Sequence, residues 1–327
     1  MLGYIARRLV NYVILALVAT AGGYILASSA LKPMARYLGR NPPVPEESIY
    51  QALDRFGQNP NDPVVLRMLR WFGNLFTQGS LGLSVNNNEV RNEIVQRAAT
   101  SLRLLILGVL IGAIIGVTLG VIGAVKQYSW IDRGTSTIAY IILATPTFVT
   151  AIVLMILATG FNNAVGHQVI SFTGEYTPGL SGGFWTQFGD RAIHLLLPTI
   201  TLALGGIASY SRYQRSAMLD VLSADYIRTA RAKGHRRSKA IMRHGVRVAL
   251  IPMSTFFAYS FGLMLTGASV TELTFSWHGM GEYLIMSIRN NDVNAAAGTM
   301  LFTAILVLIA GTLADVLYAA LDPRVRV

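Results

Sequence analysis

Cysteine is absent from the 327 residues, which excludes a disulfide framework, a thiolate metal site and a cysteine nucleophile. Charge is scarce. Only 13% of residues are charged and 53% are hydrophobic, whereas soluble domains carry roughly 25% charged residues. The composition is that of an integral membrane protein. No G-x-x-x-x-G-K-[ST] occurs, so the chain has no P-loop and no nucleotide hydrolysis by that route. The histidines (His167, His194, His235, His244 and His278) show no H-x-x-x-H metal spacing. Acids are also few, 16 against 27 bases, giving a net charge of +11. The bases gather in loops beside apolar runs, so anionic headgroups and topology account for them better than nucleic acid does.

What the chain has is apolar runs. The first is Leu9 to Leu31, behind Arg7 and Arg8. Ala27 to Ala30 resembles a signal-cleavage site, but the run exceeds the roughly 7–15 residues of a signal h-region, so a retained helix is expected. From residue 32 to 100 the chain turns polar. It carries Pro42, Pro43, Pro45, Pro60 and Pro63, an amphipathic helix over Val64 to Phe76, and turns at Gly79–Gly82 and Asn86–Asn88. It keeps aromatics such as Trp71 and Phe72, which points to a small folded insert rather than disorder.

Further runs follow over Leu104–Val125, Thr135–Thr159, Leu195–Ser211, Val248–Thr271 and Ala295–Ala319. The first of these carries Gly108, Gly112, Gly116 and Gly120, four residues apart. They lie along one helix face and let a neighbouring backbone approach closely. Pro146 predicts a kink in the next run. Six spans with both termini inside place sixteen Lys/Arg inside and eleven outside. Without the long first loop, which largely escapes the positive-inside rule, the bias is sixteen to three. The sequence therefore divides into an N-terminus with span one (1–31), an extracytoplasmic insert (32–100) and a five-helix core (101–327) with a cytoplasmic loop at 212–247.

That loop is the most unusual stretch. From Arg212 to Arg247 it holds ten Lys/Arg against Asp220 and Asp225. Ser223 is expected to cap a short helix, with Asp225 in its first turn and Gly234 ending it. A second basic helical piece extends from Arg236 to Arg247. Such a helix–Gly–helix element could dock into a cytosolic partner; an ordinary positive-inside loop is the plainer reading. The run interiors are nearly free of ionisable groups, with Arg103 and Asp315 at span ends, which disfavours a proton- or sodium-coupled carrier. A self-contained carrier or channel stays as the alternative. Leu180-Ser-Gly-Gly183 imitates an ATPase signature in a chain without a Walker motif. Ser269 and His278 could suggest a membrane hydrolase, but no nucleophile elbow accompanies them.

Asp225-Tyr-Ile-Arg-Thr-Ala-Arg-Ala-Lys-Gly234 resembles the cytoplasmic EAA loop of bacterial ABC importer permeases, in the variant of oligopeptide and dipeptide systems. Agreement extends through Arg7-Arg8, Asn59–Pro63 with Arg70-Trp71, Gly79–Gly82, Leu197–Thr201, Tyr210–Arg212 with Arg215, Phe275–Gly281 and Leu321–Arg326. The large first loop is similar to that of B-type subunits. Departures are Arg228, Thr229 and Ala230 where the general pattern has Glu-Ala-Ala, a longer spacing to Pro252, and His278 where the family has Pro.

The resemblance implies an all-α type I importer permease fold with six transmembrane helices and no catalytic residue or metal of its own. It implies a second homologous permease subunit, two cytosolic ATPase domains that bind ATP and Mg, and an extracytoplasmic peptide-binding protein. The coupling helix, Ser223 to Lys233, would sit in an ATPase cleft. Tyr226, Ala230 and Gly234 would shape that contact, with Asp225, Arg228 and Thr229 beside them. The family also includes nickel, glutathione and sugar-related systems.

Overall fold

A computed structural model describes the backbone of residues 2–39 and 41–321, and their side chains except at 2–6 and 258–267. Thirteen α-helices are described: α1 (Leu2–Ala30), α2 (Glu46–Arg55), α3 (Val64–Gln78), α4 (Val90–Val125), α5 (Trp130–Ala144), α6 (Thr147–Val165), α7 (Phe184–Leu222), α8 (Asp225–Ala232), α9 (Arg237–Ala240), α10 (Val246–Ala249), α11 (Ile251–Thr274), α12 (Met280–Arg289) and α13 (Val293–Leu321). Among the described residues the sole extended pairing is one isolated bridge, Leu83 to Glu89. Five helices there are long and apolar enough to cross a membrane: Arg7–Ala30, Val90–Val125, Thr147–Val165, Phe184–Leu222 and Val293–Leu321. The expected run Val248–Thr271 spans the end of α10 and most of α11, but its side chains from 258 to 267 lie outside the described residues.

Two compact units are present. The first is built on Leu102–Trp277 with the last helix from Ile309; the second combines Ala6–Ser101 with His278–Leu308. In the first, α7 is the central post, with α5, α6 and α11 packed against it. The expected kink at Pro146 is a full break. Thr145 before the proline takes an extended conformation (ψ 125°), α5 ends at Ala144, and Pro146 caps α6. The residue preceding a proline is pushed out of helical geometry. Pro198 by contrast lies inside the 39-residue α7.

The second unit has its own core. Tyr24 and Ala27 of α1, Trp71 of α3, Val90 and Ile94 of α4, and Met280 and Tyr283 of α12 meet Val293 and Ala295–Ala297 of α13. Trp71 donates its indole N–H to the Leu81 carbonyl at 3.0 Å. The start of α13 latches the polar stretch. Asn294 donates from Nδ2 to the carbonyls of Phe56 (2.8 Å) and Leu83 (3.0 Å), and Asp292 accepts from Val85 N at 2.7 Å. Trp71, Leu81, Val90 and Ile94 thus contribute side chains to this core. The amphipathic helix expected over Val64–Phe76 is α3, closed by Gly79 in the left-handed conformation at φ 64°.

Candidate functional site

The basic loop folds into a short helix on a built seat. Met218 and Val221 at the end of α7, Ala124 at the end of α4, Ile227 of α8, Ile241 and Ala249 form a buried apolar cluster. Between α9 and α10 the chain takes one π-helical turn, Ile241–Gly245. Gly245 lies against this cluster: a Cβ there would stand 3.3 Å from side-chain carbons of Met218 and Val221 and 3.6 Å from Ile227. Such turns insert an extra residue into a helix and recur at functional sites. The expected single basic helix from Arg236 to Arg247 is therefore α9, the π turn and α10.

On that seat α8 presents two faces. Ile227 and Ala230 are buried, so Ala230 lies on the inner face. Asp225, Tyr226, Arg228, Thr229 and Lys233 are exposed on the other. Arg228 reaches back to Asp225 at 3.6 Å, a pair open to solvent. Thr229 donates its hydroxyl to the Asp225 carbonyl at 2.9 Å. Partial desolvation pushes the Tyr226 phenol above its usual pKa, although the side chain stays largely open to solvent.

One detail of the expected cap is corrected. Ala224, not Ser223, is the N-cap, and no side chain caps the helix. Ser223 is held in helical geometry (φ −85°, ψ −10°) at the end of α7, where its hydroxyl donates to the Asp220 carbonyl at 2.9 Å. An N-cap needs an extended backbone, which Ser223 does not have. At the other end Gly234 follows the C-cap Lys233 with φ +86°, its N–H donating to Arg231 O at 3.0 Å. No neighbour lies within 4 Å of a Cβ added there, so backbone conformation alone selects glycine.

The four spaced glycines of α4 face α7. An added Cβ would stand 3.0 Å from Leu202 Cβ at Gly108, 3.2 Å from Gly206 Cα at Gly112, 2.7 Å from Tyr210 Cβ at Gly116 and 2.6 Å from Ser211 O at Gly120. Toward the loop this seam continues in a feature that sequence reasoning missed. Arg215 of α7 makes a two-pronged ion pair with Asp132 of α5, Nε to Oδ1 at 2.6 Å and Nη2 to Oδ2 at 2.9 Å. Asp132 is buried and also accepts from Tyr128 N at 2.9 Å. The hydrogen bonds from Arg215 hold its carboxyl below the usual range, outweighing the burial that would raise it. The available signal was that Asp132 is the one acid in its short loop and that Arg215 belongs to a matching motif.

Beside this clamp a groove of about 820 Å³ opens between α5, α7 and α11, lined by Tyr140, Arg212, Tyr213, Asp220, Pro252 and Phe256. Arg212 stands over the Tyr140 ring at 4.5 Å, and Tyr213 stacks on Phe256 with centroids 4.4 Å apart. The wall is aromatic and cationic, a surface suited to polar, partly apolar solutes or to a neighbouring helix.

Residues 116–327 match the family described as binding-protein-dependent transport system inner membrane component. The chain is 45% identical over 324 residues to the oligopeptide transport system permease protein OppB of Mycobacterium bovis, covering 99% of each. It is 32% identical over 332 residues to the oligopeptide permease protein AppB of Bacillus subtilis, covering the whole of both. It is also 33% identical over 342 residues to the di/tripeptide permease protein DppB of Pseudomonas aeruginosa, covering 100% of this chain and 99% of that one.

Proposed function

This chain belongs to the binding-protein-dependent transport system inner membrane components, and we infer that it is the permease subunit of an ATP-driven importer of di- and oligopeptides. It is a multi-pass protein of the bacterial cytoplasmic membrane. The observation that carries the substrate class is the 45% identity to an oligopeptide permease over 99% of both chains. The subunit would supply half of a translocation pathway and pair with a second, homologous permease. Six spans, with both termini in the cytoplasm, would put α8 beneath the membrane and residues 32–100 outside it.

In this reading the chain performs no chemistry and holds no cofactor. ATP and Mg bind to two partner ATPase domains, and an extracytoplasmic binding protein delivers the peptide. The exposed face of α8 (Asp225, Tyr226, Arg228, Thr229 and Lys233) would enter an ATPase cleft. Ala230 and Gly234 would shape the element, and Ser223 would join it to α7. What supports this is the seat: α8 packs through Ile227 onto the ends of α4 and α7. A displacement of α8 would therefore push directly on two long helices. The glycine seam and the Asp132–Arg215 clamp would carry that push as a rigid-body movement, from inward-open to outward-open.

The test is co-purification from the native membrane, wild type against Gly234→Asp. Recovery of a Walker-motif ATPase and a second permease with wild type, and loss of the ATPase with the variant, is the expected result. Loss of peptide uptake on deleting that ATPase should accompany it. Solute movement by the isolated chain in liposomes without ATP would overturn the reading.

A further inference from the structure

The inner stripe of α3 contains a residue that does not belong there by composition. Arg67 stands one turn before Trp71 and is 7% exposed, beside the apolar cluster that Trp71 joins. Among the described residues it has no ion-pair partner, and its Nε has no hydrogen-bond partner. A charge in such a position is costly unless something neutralises it.

Arg67 lines a cavity of about 340 Å³ that lies wholly within the second unit. Tyr24, Trp71, Asn74 and Ser80 share the wall, with Arg55 and Arg70 exposed at its edge. Its one acidic residue, Asp54, accepts from Asn59 Nδ2 at 2.7 Å. Arg70 is already paired with Asp62. Three guanidiniums (Arg55, Arg67 and Arg70) stand against the carboxylates of Asp54 and Asp62, which leaves one net positive charge among N–H and O–H donors, and the fork of Arg67 fits a planar or tetrahedral oxyanion.

We propose that this cavity is an oxyanion-binding site that takes one carboxylate or phosphate group on Arg67. The group could come from a small solute or from a lipid headgroup; the chemistry recognised is the same. Binding would replace the missing counter-charge and brace α3 against the end of α1, which carries Tyr24, and the start of α13, which carries Asn294.

The full-length chain, purified in detergent, is titrated with sodium acetate and with inorganic phosphate against chloride at equal ionic strength, following its thermal unfolding. A parallel arm uses nanodiscs with and without phosphatidylglycerol. A saturable rise in unfolding temperature is expected with a free anion or with the anionic lipid, and whichever arm responds identifies the source. Arg67→Gln should weaken the apparent affinity at least about tenfold. Arg67→Lys should retain a weaker response, and the exposed Arg289→Gln should behave as wild type. Absence of any saturable response in folded wild type would overturn the proposal whether or not the Gln variant folds. So would an equal response in Arg67→Gln.

Discussion

At the scale of single residues, glycine does two different jobs in this chain, and substitutions separate them. Gly120 is selected by space: an added carbon would meet the Ser211 carbonyl at 2.6 Å. Gly120→Ala should lower stability by about 1–3 kcal/mol, as overpacking does, read as a lower unfolding temperature in detergent. Gly134, with no neighbour within 4 Å, should tolerate alanine or gain up to about 1 kcal/mol from it. Gly234 is selected by conformation instead. Gly234→Val should impose about 1–2 kcal/mol of left-handed strain and reduce peptide-stimulated ATP hydrolysis, while Gly234→Asn should keep most of it, because asparagine enters that region readily. Equal losses in the Val and Asn variants would point to a direct contact at this position and against backbone shape.

The Asp132–Arg215 clamp is also a residue-scale device. Removing one partner, as in Arg215→Met, should cost about 3–5 kcal/mol because it strands a buried carboxylate. The double variant with Asp132→Asn should recover part of that loss in a double-mutant cycle. Its pH dependence has a definite sign. Since the folded-state pKa of Asp132 is lowered, the stabilisation is complete above the unfolded value of roughly 3.9 and is lost only as pH falls through the lowered one. The unfolding-temperature gap between wild type and Asp132→Asn should stay constant from about pH 8 to 5 and close in stronger acid.

Among the elements, those set by local pattern were legible in the sequence. The helix expected over Val64–Phe76 is α3, and the four-residue glycine period marks the face of α4 that meets α7. The features that were not legible depend on contacts distant in the chain. Ser223 reads as a cap until one knows that α7 runs on to Leu222. Asp132 and Arg215 are 83 residues apart, and nothing in the sequence pairs the one with the other. Arg67 reads as one more exposed base on an amphipathic helix; only the enclosing Tyr24, Trp71 and Asn294 show that its side faces inward. The seat of α8 yields its own prediction. Ile227→Asp would bury a charge in the cluster around Met218 and Val221, so α8 should detach. Amide exchange over 225–234 should rise and the ATPase should be lost, whereas Tyr226→Ala on the exposed face should weaken ATPase binding without raising exchange.

For the whole molecule, the two units have separate cores and can be perturbed separately. Variants of the seam and clamp should alter coupling to ATP hydrolysis, whereas variants of the latch at Asp292 and Asn294 should alter the segment 32–100 first. Limited proteolysis distinguishes the two, since loosening the latch should open cleavage within that segment while α4 and α7 stay intact. The π turn at Ile241–Gly245 bears on how this chain can change in length. It already holds one residue more than an α-helical turn requires, and Met242 within it is 65% exposed. Deleting Met242 would let the backbone relax to an ordinary helix without rotating α10 and α11, whereas a one-residue deletion inside a regular helix turns everything beyond it by about 100°. The spacing between Gly234 and Pro252 in this chain can therefore shorten by one residue while α8 and α11 keep their bearings.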